Sequence, residues 1–150
     1  MNELVAITNK YKEICTTGNL DEFDDIVHPE FERFADGKTQ KGIQELKEII
    51  EWARNVNSNL TVTGVEDIVA GDRVITRIEV SGVFNLTNKP WKVNGVAIYQ
   101  IKENKLYRQW VEVDGLGGAN QVGMAVVPTA KVFLSFIKNF RKYGSLLKEM

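Results

Sequence analysis

A chain of 150 residues is long enough for one well-cored domain and short for two. It is 43% hydrophobic and 26% charged, its 19 basic and 20 acidic side chains leave a net charge of −1, and no basic stripe marks it for nucleic acid. The single Cys15 cannot form an internal disulfide, one His with one Cys cannot build a structural zinc site, and no apolar run approaches the ~20 residues that span a bilayer.

The first segment, MNELVAITNKYKEICTTGN, places Leu4, Ile7, Tyr11 and Ile14 at three- and four-residue spacing, which predicts an amphipathic helix. Gly18 ends it as a C-terminal cap. The same segment lacks the apolar core of a signal peptide, so the cytoplasm is the expected compartment. A short second helix is expected over Leu20–Val27, closed by Pro29, which pushes the residue before it out of helical geometry. A third helix follows Gly42, with Ile43, Leu46, Ile50 and Ala53 inward and Trp52 nearby.

From Asn59 the period changes to two. Leu60 and Val62 alternate with polar neighbours, and Val74, Ile78, Val80, Phe84 and Leu86 share one parity. Ala70-Gly71-Asp72-Arg73 between them reads as a hairpin turn. Trp91–Ile101 and Leu106–Val113 form further strands, joined at Glu103-Asn104-Lys105. Helices gathered early and strands late indicate an α+β domain with an antiparallel meander rather than alternating α/β. No internal repeat and no low-complexity linker interrupts it.

The segment Trp110–Met124, WVEVDGLGGANQVGM, carries one carboxylate, Asp114, out of a strand and into a glycine-rich break. Such a strand end can aim a general acid/base into an apolar pocket. Asp and Gly are also ordinary turn formers, so Asp114 can equally be a turn cap that touches no substrate. Both readings stand on spacing alone.

Several landmarks then resemble a known family. His28-Pro29-Glu30-Phe31, Gly42-Ile43, Ala70-Gly71-Asp72-Arg73-Val74, Ser81-Gly82 and Trp110…Asp114…Gln121-Val122-Gly123 follow the order found in SnoaL-like polyketide cyclases. Their superfamily includes ketosteroid isomerase, scytalone dehydratase and the nuclear transport factor proteins. The resemblance covers roughly residues 1–124, within an expected domain of residues 1–126. It implies a cone-shaped α+β barrel, a strongly curved antiparallel sheet wrapped around the N-terminal helices, with a deep apolar pocket and homodimers. It also implies a role for Asp114, because the family's acid/base lies seven residues before the Gln of a closing Gln-Leu-Gly motif. Gln121-Val122-Gly123 stands for that motif here. The chain departs from the family at Gly95 and Ala97, where the cyclases carry a Gln-x-His pair, and this puts the aldol cyclase activity in question.

Proton abstraction beside a ketone needs a carboxylate in a dry pocket and a donor for the developing enolate. Ketosteroid isomerase is a standard worked case of that division of labour. Tyr99 and Trp110 could donate, and both serve equally well as core residues. The aromatic set Phe31, Phe34, Trp52, Phe84, Trp91, Tyr99 and Trp110 suits a flat hydrophobic ligand, with Phe31, Trp52, Trp91, Tyr99 and Trp110 as the candidate substrate-binding residues. His28 is a rim proton shuttle or, the favoured reading, a helix-end residue. Glu112 shares the face of Asp114 if the strand is regular. Arg77 and Glu79 oppose the apolar parity and belong on an outer or dimer-facing surface.

No metal cluster, phosphate loop or nucleophile–base pair is present, so no metal and no cofactor is expected. Beyond Pro128, over residues 127–150, Phe133, Phe136, Ile137, Phe140 and Leu147 make an apolar stripe beside Lys131, Lys138, Arg141, Lys142 and Lys148. This C-terminal helix is expected to pack on its own domain, cover the pocket or join a dimer; contact with a membrane surface is the less favoured alternative. Two functions remain open. One is a cofactor-free isomerase or cyclase acting on a hydrophobic carbonyl compound through Asp114. The other is a non-catalytic small-molecule-binding or dimerisation module of the same fold.

Overall fold

The computed structural model describes residues 2–125, 127 and 129–138. Helix α1 (Glu3–Thr17) opens with the Asn2 side chain accepting from the Leu4 N–H. It closes at Gly18, whose φ of 84° lets its N–H reach the Ile14 carbonyl. One face of α1 buries Tyr11, Ile14 and Cys15. The expected second helix is split into a 3₁₀ turn, Leu20–Glu22, and a single turn α2 (Phe23–Ile26). Val27 already begins a strand.

That strand is the main departure from the sequence reading. Strands β1 (Val27–Ala35) and β2 (Lys38–Lys41) form a hairpin before helix α3 (Gly42–Val56). Pro29 therefore lies inside β1, and His28 is a buried strand residue rather than a helix-end one. Strands β3 (Asn57–Ala70), β4 (Arg73–Phe84), β5 (Lys89–Lys102) and β6 (Lys105–Val113) supply the expected meander. Its turns are tight: Gly71 has φ 61°, and Glu103 and Asn104 have φ 53° and 57°, the positive values a two-residue hairpin demands. Leu86, expected inward, is 84% exposed because the chain has left β4 for a turn.

The strands form one six-stranded sheet in the order β2-β1-β6-β5-β4-β3. Pairing is antiparallel except between β1 and β6, which run parallel, so the sheet is mixed. It curls around α1 and α3 as the resemblance implied. The concave face buries Val74, Ile78, Ala97, Tyr99 and Leu106 against Ile14, Phe23 and Leu46 from the helices. Short helix α4 (Gly115–Gln121) follows β6, where a loop was expected, and α5 (Ala130–Lys138) follows it. In α5, Val132, Phe133, Leu134 and Ile137 are each at least 51% exposed. The remainder of the expected C-terminal helix, with Phe140, Arg141, Lys142, Leu147 and Lys148, lies outside the described residues, as does the side chain of Phe136. Among the described residues no helix is long and apolar enough to cross a membrane.

Candidate functional site

Two cavities open inside the curl, and Val113 at the end of β6 lines both. The mouth cavity has a volume of about 320 Å³. Trp52 and Val56 of α3 form one wall, Phe84, Trp91 and Val93 of the sheet a second, and Gly118 and Ala119 of α4 with Val122 just after it a third. Its polar groups are mostly committed. The Trp91 Nε1–H donates to Asn57 Oδ1 at 2.8 Å, and Asn57 Nδ2 donates to the Ala53 carbonyl at 2.9 Å. Asp114 is the one ionisable side chain among the described residues that line it.

Asp114 itself is exposed and is the N-cap of α4, its Oδ1 accepting the Gly117 N–H at 2.8 Å. A methyl group at position 117 would collide with the carboxylate as it stands, so a larger residue there would have to turn the Asp114 side chain aside. Asp114 is thus a helix cap that stands on the cavity rim. Glu112 does not join it. That side chain is exposed in register with Val96 on the convex face, one residue before the strand ends.

The Gln121-Val122-Gly123 motif has a mechanical role. Strand β6 ends at Val113 opposite Gly95, a last bond runs from the Asp114 N–H to the Asn94 carbonyl at 3.2 Å, and β5 beyond Asn94 has no neighbouring strand on this side. Gln121 takes the neighbour's place: its Oε1 accepts from the Lys92 N–H at 2.8 Å and its Nε2 donates to the Lys92 carbonyl at 2.9 Å. A carboxamide mimics one peptide unit of the missing strand. This clamp holds α4 over the mouth, where Val122 is buried and Gly123 turns the chain with φ 85°.

Behind Val113 lies a deeper chamber of about 160 Å³. Tyr11 of α1 donates its hydroxyl to Gln109 Oε1 at 2.9 Å across this space. Burial pushes the Tyr11 and Tyr99 phenols above their ordinary range, and Gln109 opposes part of that rise in each by hydrogen bonding. Both phenols are thus protonated donors at neutral pH. Burial likewise pushes the Cys15 thiol up to about 12. Arg33 of β1 also lines the chamber, and its Nη1 donates to Gln40 Oε1 at 2.9 Å while its buried Nε has no partner.

Of the expected substrate-binding residues, Trp52 and Trp91 line the mouth and Tyr99 the chamber. The other two lie elsewhere. Phe31 is fully buried in the core. Trp110 has the outward parity of β6 and stacks on Phe34 on the convex face, with the Arg73 guanidinium 5.5 Å from its ring, so it cannot donate into the cavity. His28 packs edge-on against Tyr107 and lies 3.6 Å from the Glu103 carboxylate, lining neither cavity. Gly95 and Ala97 do face inward. A side chain at 95 would run into the Glu112 carbonyl and Val113, so the backbone here leaves no room for the first member of the cyclases' Gln-x-His pair. Gln109, Tyr11 and Arg33 were missed. Inward parity on a strand was the available signal for Gln109, since it shares the face of Val111 and Val113.

A curled mixed sheet around N-terminal helices, with cavities at its open end, defines a ketosteroid-isomerase-like cone. The chain belongs to the SnoaL-like polyketide cyclase family, whose model matches residues 5–122. Solved structures share the fold. TsrD from Streptomyces laurentii is 20% identical with a TM-score of 0.75, over 82% of this chain and 96% of that one. A protein with a ketosteroid isomerase-like fold from Catenulispora acidiphila, in complex with trimethylamine, is 15% identical with a TM-score of 0.75, over 81% and 97%. Wild-type IdmH from Streptomyces antibioticus is 14% identical with a TM-score of 0.75, over 82% and 100%. No curated protein matches the chain.

Proposed function

We propose that this protein takes a flat, apolar carbonyl compound into the mouth cavity and catalyses an enolisation-type isomerisation or cyclisation with Asp114 as general acid/base and no cofactor. The observation that carries this reading is that Asp114 is the one ionisable group among the described lining residues, the other polar side groups, on Asn57 and Trp91, being bonded to one another and to the Ala53 carbonyl. A bound ligand displaces water from the carboxylate, which strengthens it as a base toward a carbon acid held against it. Asp114 Oδ1 already accepts from Gly117. Proton transfer would therefore use the second oxygen: the α C–H bond breaks, the electron pair moves onto the carbonyl oxygen, and the same carboxyl returns the proton to carbon. The mouth's own donors are committed, and so is the Tyr11 hydroxyl, so stabilisation of the enolate falls to Tyr99 and the Gln109 amide behind Val113.

A single positioned acid/base contributes about 10²–10⁴-fold. The test is exchange of the α-protons of β-tetralone with heavy water, followed by proton NMR. Wild type should accelerate exchange, and Asp114→Asn should lose about two to four orders of magnitude while still binding the ketone. Binding without acceleration by wild type would establish the second reading, a small-molecule receptor of the same fold. The exposure of Asp114 and its use as a helix cap favour that alternative.

The reading includes a homodimer through the convex face of the sheet. A row of residues in register crosses all six strands there: Thr39, Phe34, Trp110, Ile98, Ile75 and Ile68. Ile68 is 56% exposed and the other apolar members are partly so. The five apolar members, from Phe34 on β1 to Ile68 on β3, lie between charged flanks, which is what a self-associating sheet face presents.

A further inference from the structure

Arg33 is the group that the reading above leaves unused. It lies on the inward parity of β1 between Phe31 and Ala35, at a position where the strand otherwise feeds the core. One of its nitrogens is bonded to Gln40, but the buried Nε–H has no partner, and among the described residues no carboxylate lies within ion-pair distance. A guanidinium with a buried, unpaired donor is costly in a folded protein, and native structures tolerate such groups where a ligand, an ion or an ordered water completes them. Its surroundings share the same preference. Tyr99 and the Gln109 amide offer the chamber neutral donors, the Tyr11 hydroxyl being given to Gln109, and burial keeps both phenols protonated. The one opposing carboxylate in the lining is Asp36, which is exposed in the β1–β2 turn.

We infer that the deeper chamber is an anion subsite in which Arg33 holds the carboxylate of the ligand, so that the protein takes apolar keto acids or related anionic carbonyl compounds rather than neutral ketones. The inference rests on the cavity reading above and specifies its substrate class. At about 160 Å³ the chamber has room for a carboxylate head, and the apolar body would extend past Val113 into the mouth toward Asp114. The ligand is then anchored at a cationic end and worked on at an acidic one.

The test compares three probes of one shape, naphthaleneacetate, its methyl ester and its primary amide, binding to the full chain by calorimetry. Wild type should bind the acid at least about tenfold more tightly than the ester or amide, the scale of one charge-assisted hydrogen bond. Arg33→Gln should erase that preference by weakening the acid far more than the ester. Gln40→Ala removes the guanidinium's bond within the chain but keeps its charge, and it should retain the preference; this control separates a lost ligand contact from a disturbed hairpin. If acid, ester and amide bind wild type equally, or Arg33→Gln keeps the preference, the anion subsite is wrong and the cavity reading survives. If none of the probes binds, the cavity reading falls and this inference with it.

Discussion

Cys15 links the chamber to stability through a single proton. Its thiol is buried under Tyr11 and Arg33, and burial raises it from the ordinary 9.0 to about 12. The unfolded chain releases that proton near pH 9, whereas the folded chain keeps it until about 12. Between those values the folded state binds one proton more, so stability falls as pH rises; below 9 the group contributes no slope. Cys15→Ala should therefore unfold with an alkaline slope shallower by one proton than wild type, measured by urea denaturation from pH 8 to 11. Tyr11 and Tyr99 shift the same way and remain in both proteins, and because the Cys15 charge also raises both phenols, the difference reads the thiol together with its coupling to them. Equal slopes would mean that Cys15 is open to solvent in solution.

At the scale of elements, α4 is held by few contacts and defines one wall of the mouth. Its sequence, GLGGANQ, is poor helix material, because glycine in a helix interior costs about 1 kcal/mol relative to alanine. The Asp114 cap and the Gln121 clamp compensate from its two ends. Gly118 lets it lie close, since a methyl group there would come 3.2 Å from Val93. Gln121→Ala removes both clamp bonds at an exposed site, where water replaces part of their value. It should cost about 1 kcal/mol of stability and raise amide exchange across α4 selectively. A variant in which α4 exchanges at the wild-type rate would show that packing of Val122 alone secures the wall. These devices also explain what the sequence disclosed and what it hid. Helices α1 and α3 were legible because Ile14 and Leu46 sit on uninterrupted apolar stripes. Strands β3 to β6 were legible from period-two alternation and their turns. Helix α4 was hidden because side-chain bonds to residues distant in sequence offset its glycines. Strand β1 was hidden because the polar Arg33 interrupts its inward set of Phe31 and Ala35, and that same polarity concealed the chamber.

For the whole molecule the decisive question is how two convex faces would meet, and charge answers it. On one flank of the apolar row lie Glu112, Val96, Arg77 and Glu66, in register across β6 to β3. On the other lie Arg108, Gln100 and Arg73, with Glu32 and Lys41 completing the line on β1 and β2. The first flank is net acidic and the second net basic. An isologous dimer has a two-fold axis in the plane of contact. If that axis crosses the row, acidic flank meets acidic flank. If it runs along the row, the acidic flank of one copy covers the basic flank of its partner, and Glu112 comes opposite Arg108 of the other copy. Like charges brought together at an interface cost several kcal/mol, so the second arrangement is favoured. Sedimentation equilibrium should accordingly find a wild-type dimer, weakened by Arg108→Glu and by Glu112→Arg singly, and restored when both are combined. Restoration is the discriminating result, because a merely structural role for the Arg108–Glu32 pair, at 3.1 Å within one chain, predicts that the double variant is the weakest of all.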